Sequence, residues 1–181
     1  MIADIILIVA GALFIGVYVS WRAGRIDRLH ARVDMARAAL DATLLRRSSV
    51  AQELAGSGLL DPATSLLLAG AVHGTRSSDR PRDLAESDLT RALRAAFSQP
   101  DFRASLGGKE GADELLAEVE EAAHQVFVAR KFYNDLAAAT RSARSRPLAR
   151  VLHLSGRAQA PEFFEMDDSL VAEKAGTALA G

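Results

Sequence analysis

The 181-residue chain has no cysteine, which excludes disulfides and thiolate metal sites and leaves the redox compartment open. Aromatic residues make up only 6% of it. A core of alanine, leucine and valine favours closely packed helices over a sheet, because strands prefer β-branched and aromatic side chains. The net charge of −1 offers no electrostatic reason to expect a nucleic-acid partner.

The chain begins with a long stretch that has almost no charge. From Ile5 to Trp21, 17 residues lack a charged side chain, close to the about 20 residues that cross a hydrocarbon core. No lysine or arginine precedes this run, and Tyr18 and Trp21 are interfacial aromatics rather than a cleavage site. We therefore predict that residues 1–21 form a retained transmembrane anchor rather than a cleaved signal peptide. A buried core helix is the alternative, but the run is apolar around its whole circumference.

Basic residues follow this run and predict its orientation. Because lysine and arginine are retained in the cytoplasm, we expect a single-pass protein of the bacterial cell membrane, with the N-terminus outside and the body cytoplasmic. The lipid bilayer, contacted through residues 1–21, is then the first partner. The rival orientation places the body outside, in the cell envelope. The basic residues are Arg22, Arg25, Arg28, Arg32 and Arg37.

Residues 22–147 are predicted to form an elongated, antiparallel, all-α bundle with two long and two short helices. The first long helix runs from Arg22 to Ala55, without proline and with a heptad seam. Arg47 stands where that seam should be apolar, so we expect it at the edge of the packed face or paired with a carboxylate. The other seam residues are Ile26, Leu29, Val33, Ala36, Leu40, Thr43, Val50 and Leu54.

Proline and turn residues delimit the remaining helices. Asp61 followed by Pro62 predicts the start of the first short helix. The second short helix is predicted from about 84 to Phe97, and the last long helix from near Asp113 to just before Pro147. The seam predicted for the last helix is Leu115, Val119, Ala122, Val126, Ala129, Tyr133, Leu136 and Thr140.

The chain after the last helix is predicted to be irregular. Residues 148–167 are expected to pack on the bundle through Phe163 and Phe164, and residues 168–181 to form a mobile tail.

No catalytic, cofactor-binding or metal-binding residue is predicted. Glu121 and His124 have the Glu-x-x-His spacing of di-iron bundles, but a second such pair is missing, and a solvated acidic face explains the same residues. Gly107-Gly108-Lys109 lacks the spacing of a phosphate-binding loop. No nucleophile motif frames a serine. We therefore expect no enzyme, no cofactor and no small-molecule substrate.

Two polar clusters lie on the long helices, Asp34, Asp41, Arg46 and Arg47 on the first and Arg130, Tyr133 and Asn134 on the last. Asparagine is unfavourable inside a helix unless it has a partner. We therefore expect the clusters to meet in one buried network that fixes helix register, with exposure to water as the alternative.

These clusters fall in motifs that resemble the LemA family. VDMARAALDATLLRR resembles its first motif, and ARKFYND its A-R-x-x-Y-N; QPDF and PEFFE are similar to two shorter elements in the same order. The similarity covers residues from about 20 to 168. It implies a bacterial, membrane-anchored helical bundle whose biochemical activity is not established.

The combined interpretation is a membrane-anchored, non-enzymatic helical scaffold or adaptor, with a protein partner or self-association. The alternative is an envelope-facing structural or surface-organising protein. A third hypothesis, from a different class, is a metal-dependent enzyme built around His124.

Overall fold

The computed structural model describes residues 2–77, 79–99, 102, 106, 109–145 and 159–168, except for the side chains of residues 15, 19, 22, 23 and 25–27. Within these ranges every regular element is a helix, so the all-α prediction is confirmed; Phe102 and Leu106 are helical too, outside the four helices given next. The helices are α1 (Ile2–Gly56), α2 (Pro62–Arg76), α3 (Arg82–Phe97) and α4 (Ala112–Ser145).

Helix α1 joins the predicted anchor and the first bundle helix into one uninterrupted helix. Large apolar side chains along its N-terminal part are exposed, among them Leu7, Leu13, Phe14 and Val17. In the part of the chain that the structure describes, no helix has the length and apolar character needed to cross a membrane. The transmembrane assignment of residues 1–21 is therefore not confirmed at this point.

The short helices begin where their capping residues dictate. The carboxylate of Asp61 accepts hydrogen bonds from the amides of Ala63 and Thr64, at 3.0 and 3.1 Å, and Pro62 occupies the first helical position, as predicted. Helix α3 begins at Arg82, two residues before the predicted start. Its first turn is closed by the Pro81 carbonyl, which accepts from the Ala85 amide at 3.1 Å.

The buried face of α1 from Val33 onward follows the predicted heptad except at Thr43, and it is wider than predicted. Val33, Ala36 and Leu40 are buried as expected, but farther along Leu44 is fully buried where Thr43 was predicted, and Thr43 is half-buried. An α-helix has 3.6 residues per turn, so a straight helix rotates about 20° per heptad relative to a 3.5-residue repeat. Leu44 and Ala51, each one residue after a predicted position, are therefore buried, while Arg47, Val50 and Leu54 of the predicted seam are buried as well.

The seam of α4 is half right. Val119, Ala122, Val126, Tyr133 and Thr140 are buried as predicted, whereas Leu115, Ala129 and Leu136 are only half-buried. The packed face also includes Leu116, Ala123 and Ala137, each one residue after a predicted position. Arg130 continues this row as a half-buried side chain.

The chain divides into two compact units. The first contains the described residues of Met1–Arg37 and Phe132–Phe163. In this unit the N-terminal part of α1 and the C-terminal part of α4 run antiparallel. The guanidinium of Arg37 lies 5.5 Å from the centre of the Tyr133 ring. His30, which comes earlier on α1, lies 3.1 Å from Arg144, which comes later on α4. The antiparallel arrangement of the two long helices is thus present within this unit.

The second unit, Ala38–Lys131 and Phe164–Gly181, contains the main hydrophobic core. All four helices contribute to it, together with Phe102, whose ring lies 5.4 Å from that of Phe97. Helix α3 runs parallel to α1, since Asp41 contacts Arg82 and Arg47 contacts Thr90. The core residues are Val50, Ala51, Leu54, Leu68, Val72, Leu89, Ala92, Leu93, Phe102, Leu106, Ala112, Leu116 and Val119.

Candidate functional site

Arg47 and Glu86 form a buried ion pair between α1 and α3. Their side chains are 3% and 2% exposed, and Arg47 Nη2 lies 2.6 Å from Glu86 Oε2. The same nitrogen donates to the Glu86 carbonyl at 3.1 Å, and Nη1 donates to Thr90 Oγ1 at 3.0 Å. The Thr90 hydroxyl in turn donates to the Glu86 carbonyl at 3.2 Å. One guanidinium therefore contacts both a side chain and the backbone of α3.

Helical spacing brings these groups together. Glu86 and Thr90 are four residues apart, so they lie one above the other on the face of α3 that also carries the buried Leu89 and Leu93. Arg47 lies on the packed face of α1, one turn beyond Leu44. Its long side chain reaches across the helix contact to polar groups in an otherwise apolar layer.

Burial dominates the electrostatics of the pair. It raises the pKa of the Glu86 carboxyl above its ordinary value, and the charge and hydrogen bonds of Arg47 offset part of that rise. Burial likewise lowers the pKa of the Arg47 guanidinium, against the opposing effect of Glu86. Arginine stays protonated in proteins, so the pair is a net-neutral unit of two charged groups. Arg47 Nε is buried and has no hydrogen-bond partner among the described residues.

A second, more exposed pair extends the network. Arg82 Nη1 lies 2.9 Å from Asp41 Oδ1, and both side chains are about one-third exposed. Arg82 Nε lies 4.0 Å from Glu86 Oε1, so the Glu86 carboxylate has a guanidinium on each side. Asp41 and Arg47 are six residues apart on α1, about 9 Å along the helix axis. Two ion pairs at that spacing fix how α3 is placed along α1.

The structure selects between the two alternatives predicted for Arg47, because it pairs with a carboxylate and does not lie at an edge. It corrects the predicted network, in which Arg47 and Asn134 share one set of contacts: the donors of Arg47 go to α3 instead of α4. Arg46 lies outside this network, exposed and 3.2 Å from Glu118. The partners that sequence reasoning missed are Glu86 and Thr90. The available signal was a glutamate on the apolar face of a short helix.

The second predicted cluster is divided: Arg130 pairs with Asp168 in the second unit, whereas Tyr133 contacts the segment Gln159–Phe163 in the first. The Tyr133 hydroxyl donates to the Glu162 carbonyl at 2.7 Å, and Arg144 Nη1 donates to the Gln159 carbonyl at 3.0 Å. The guanidinium of Arg141 lies 5.1 Å from the centre of the Phe163 ring. Side chains of α4 thus hold the backbone of a segment that has no helix or strand of its own.

Residues Phe164–Asp168, which we name the acidic strap, pack within the second unit. Phe164 and Met166 are buried, whereas Phe163 is partly exposed. The Asp167 amide donates to Ser87 Oγ at 3.0 Å. Asp168, predicted as the first residue of a mobile tail, pairs with Arg130 of α4. The rest of that tail, 169–181, and residues 148–158 lie outside the described residues.

The candidates for chemistry stay apart. His124 is exposed and stacks on Phe127 with ring centres 6.4 Å apart, while Glu121 accepts a hydrogen bond from Gln125 at 2.9 Å. Within the described ranges, no three histidine or acidic side chains are grouped so that they could hold a metal ion. Lys109 donates to the Leu59 carbonyl at 2.9 Å, which uses its ammonium group to join a loop to the end of α1.

No family model, curated protein or solved structure matches the chain. The resemblance of its motifs to the LemA family stays a prediction. In the arrangement that the structure describes, the buried charges of Arg47 and Glu86 neutralise each other and join α1 to α3.

Proposed function

We propose that the chain is a membrane-anchored, non-enzymatic helical scaffold, held in the bilayer by the N-terminal part of α1. The observation that carries the proposal is the exposure of large apolar side chains along that part of the helix. Water-exposed side chains of this kind are normally scattered singly, and a continuous exposed set marks contact with a protein or a membrane. The exposed residues are Ile2, Ile5, Ile6, Leu7, Ile8, Val9, Leu13, Phe14, Val17, Tyr18 and Trp21.

A bilayer is favoured over a partner protein as the environment of this segment. Counting every residue of the sequence, 17 consecutive positions from Ile5 to Trp21 carry no charge. The exposed apolar residues Leu7, Ile8 and Leu13 point in three different directions around the helix, since successive residues are rotated by about 100°. A partner protein would cover one face of the helix, whereas lipid surrounds all of them.

The proposed orientation places the body of the protein in the cytoplasm. Five arginines follow the apolar run between positions 22 and 37, and none precedes it. Positively charged residues near the end of a membrane span are retained on the cytoplasmic side. The motif order that resembles the LemA family supports the same architecture.

The scaffold part of the proposal rests on how the charged groups are used. Arg47 pairs with Glu86 and joins two helices. Arg130 pairs with Asp168 and holds the acidic strap on α4. Such pairs position elements against each other, and the buried one favours a single helix register over alternatives. This use of the charged groups supports a rigid surface that a partner can bind rather than a site that carries out a reaction.

Membrane extraction tests the anchor. Replacing Val9 and Leu13 by lysine puts two charges near the centre of the apolar run, at a cost of about 2.5–3.5 kcal/mol each. We expect the wild-type chain to resist alkaline extraction from membranes and the double variant to appear in the soluble fraction. Recovery of the wild-type chain in the soluble fraction would overturn the proposal.

The matched control lies on α2. Leu66 and Leu67 are 75% and 53% exposed, close to the 66% and 52% of Leu13 and Val9. Changing both to lysine alters charge and hydrophobicity equally but leaves the apolar run intact. This control variant stays in the membrane fraction if the anchor is specific to α1, and its release would count against the proposal.

Orientation is tested with a single thiol. Gln52 is exposed on α1, and the chain contains no cysteine, so Gln52→Cys gives one reactive site. A membrane-impermeant thiol reagent should label this variant only after the cells are lysed. Labelling of intact cells would reverse the orientation and favour the alternative of an envelope-facing structural protein.

A further inference from the structure

Helix α1 carries an exposed, uncharged stripe on the side away from its packed face. Ala38, Ala42, Leu45 and Ser49, which we name the outer stripe, are all exposed, and Leu45 is 60% accessible. They lie within about 60° of one another around the helix, since successive residues are rotated by about 100°. Their spacing is that of a heptad seam, on a helix whose opposite side already packs in the core.

Covering the outer stripe would leave none of its side-chain polar atoms unpaired. Ser49 Oγ donates to the Leu45 carbonyl at 3.0 Å, within the helix, and the other three side chains have no polar atom. A buried polar group without a partner is costly, so this bond makes the stripe suitable for burial. Alanine side chains also allow two helices to approach closely, with axes about 8–10 Å apart.

Opposite charges border the outer stripe on its two sides. Asp41 lies about 40° beyond one edge and Arg46 about 40° beyond the other. Both stay accessible while they pair within the chain, Asp41 with Arg82 at 35% exposure and Arg46 with Glu118 at 54%. A carboxylate accepts up to about four hydrogen bonds and a guanidinium donates up to about five, so each of them can bind a further charged group.

The order of these charges is complementary to a second, parallel copy of α1. Asp41 precedes Arg46 by five residues, the separation at which the two edges of parallel helices meet in a coiled coil. Asp41 of each copy then faces Arg46 of the other. In an antiparallel pair, edges of the same kind would meet, and like charges would repel. In the sequence the acidic edge repeats every seven residues as Asp27, Asp34 and Asp41, and the basic edge as Arg25, Arg32, Ala39 and Arg46.

We propose that the outer stripe is the contact between two copies of the chain, which pair through α1 as a parallel, two-fold symmetric dimer. The inference rests on the proposed function, because the anchor gives every copy the same orientation and raises the local concentration of copies. That concentration is needed, since the stripe covers only about 18 Å of helix and buries little apolar area. In dilute detergent the copies therefore separate, and Leu45 is then an ordinary exposed side chain.

Disulfide trapping at single positions tests the dimer, because the chain has no cysteine of its own. Full-length chains with Ala38→Cys or Ala42→Cys, each substitution alone, are oxidised in isolated membranes. In a parallel two-fold dimer each seam residue meets its own counterpart, so both variants should form a disulfide-linked dimer. An antiparallel pair brings at most one of the two positions to its counterpart.

The matched control for random collision is Ala117→Cys, at an exposed alanine of α4 in the same unit. We expect each of the two stripe variants to form the disulfide at least about ten-fold faster than this control, since a docked pair holds the thiols together and collision does not. A disulfide at only one of the two stripe positions would overturn the parallel arrangement.

Position 39 tests the charge pattern without removing a charge that the chain already uses. Ala39 is exposed and lies on the basic edge, where it faces Asp34 of the other copy in the proposed dimer. The residues three and four positions away along α1 are uncharged, so a charge at 39 has no partner within its own helix. In the Ala42→Cys background, Ala39→Arg adds an opposite-charge pair at each edge, and Ala39→Asp adds a like-charge pair. We expect at least about five-fold faster disulfide formation with Ala39→Arg than with Ala39→Asp, and equal rates would overturn the proposed pairing.

Failure of the dimer and failure of the anchor give different results. A chain that stays in the membrane fraction, but whose Ala38→Cys and Ala42→Cys variants cross-link no faster than Ala117→Cys, overturns the dimer and leaves the anchor intact. A chain that is recovered in the soluble fraction overturns the proposed function. Trapping on concentrated purified chain then decides the dimer separately, by the same comparison with Ala117→Cys.

Discussion

Removal of Arg47 should be among the most destabilising single substitutions in the second unit. Arg47→Met preserves much of the side-chain volume but leaves the Glu86 carboxylate, 2% exposed, without its partner at 2.6 Å. Breaking a buried pair by removing one member costs about 3–5 kcal/mol, because an uncompensated charge stays buried. For a chain of this size that corresponds to a fall in Tm of roughly 6–20 °C.

The loss of stability caused by Arg47→Met should depend on pH, and the pKa of Glu86 determines whether it grows or shrinks as the pH rises. Burial already raises the pKa of Glu86 above its ordinary value of 4.5 in the wild-type chain, and removal of the cation raises it further. In the variant the folded state then binds the proton more tightly than the unfolded state does, so stability decreases as the pH rises from the unfolded to the folded pKa. The variant is weakest relative to wild type above the folded pKa, and acidification restores part of the loss.

Thermal unfolding of the full chain in mild detergent, followed by circular dichroism, measures both effects. The double variant Arg47→Met/Glu86→Leu removes both charges and should be far more stable than Arg47→Met alone, within about 1–2 kcal/mol of wild type or above it. A cost below about 1 kcal/mol for Arg47→Met would refute the reasoning. So would a loss that is unchanged between about pH 4 and about pH 8, or a double variant whose cost equals the sum of the single ones.

Three further predictions concern backbone, cap and core, each checked by the same thermal unfolding. Gly70→Ala should raise the free energy of unfolding by about 0.5–1 kcal/mol, because no atom lies within 4 Å of the added Cβ. Gly58→Ala should lower it by about 1 kcal/mol or more, because Gly58 has a φ of +73°. Hydrogen bonds from the first turn of α2 lower the pKa of the Asp61 carboxyl. The stabilisation that Asp61 gives the folded chain is therefore present above its unfolded pKa and is lost as the pH falls through its folded pKa. Asp61→Asn should keep the helix cap and abolish this pH dependence. Leu93→Ala, fully buried, should cost about 2–5 kcal/mol, against less than about 0.5 kcal/mol for the exposed Leu45→Ala. These expectations would be contradicted if Gly70→Ala lowered the stability, or if Asp61→Asn lost stability on acidification as the wild type does. Equal losses of stability in the two leucine variants would also contradict them.

Local rules were sufficient for the helices of the second unit. Asp61 followed by Pro62 caps and starts α2 as predicted, since both act through the backbone of the next few residues. The end of α3 at Phe97 and the extent of α4 also follow from proline and turn residues nearby. Such signals operate within one or two helical turns, and the sequence contains all of the atoms involved.

The buried faces could be predicted only approximately. A heptad identifies the apolar side of α1, but the helix follows its own period of 3.6, and Leu44 takes the place predicted for Thr43. In α4 the predicted seam contained Ala129, yet the packed row also passes through Arg130, whose charge is compensated by Asp168, 38 residues away.

The sequence by itself determined that the chain is helical, where most helices begin and end, and that an uncharged run precedes a body with balanced charge. Each of these properties depends on residues close together along the chain. The partner of Arg47 was decided only by the tertiary structure, which brings α3 alongside α1 and so places Glu86 and Thr90 against a guanidinium 39 and 43 residues away. Charges pair according to distance in space, and that distance is set by how all the apolar faces pack at once.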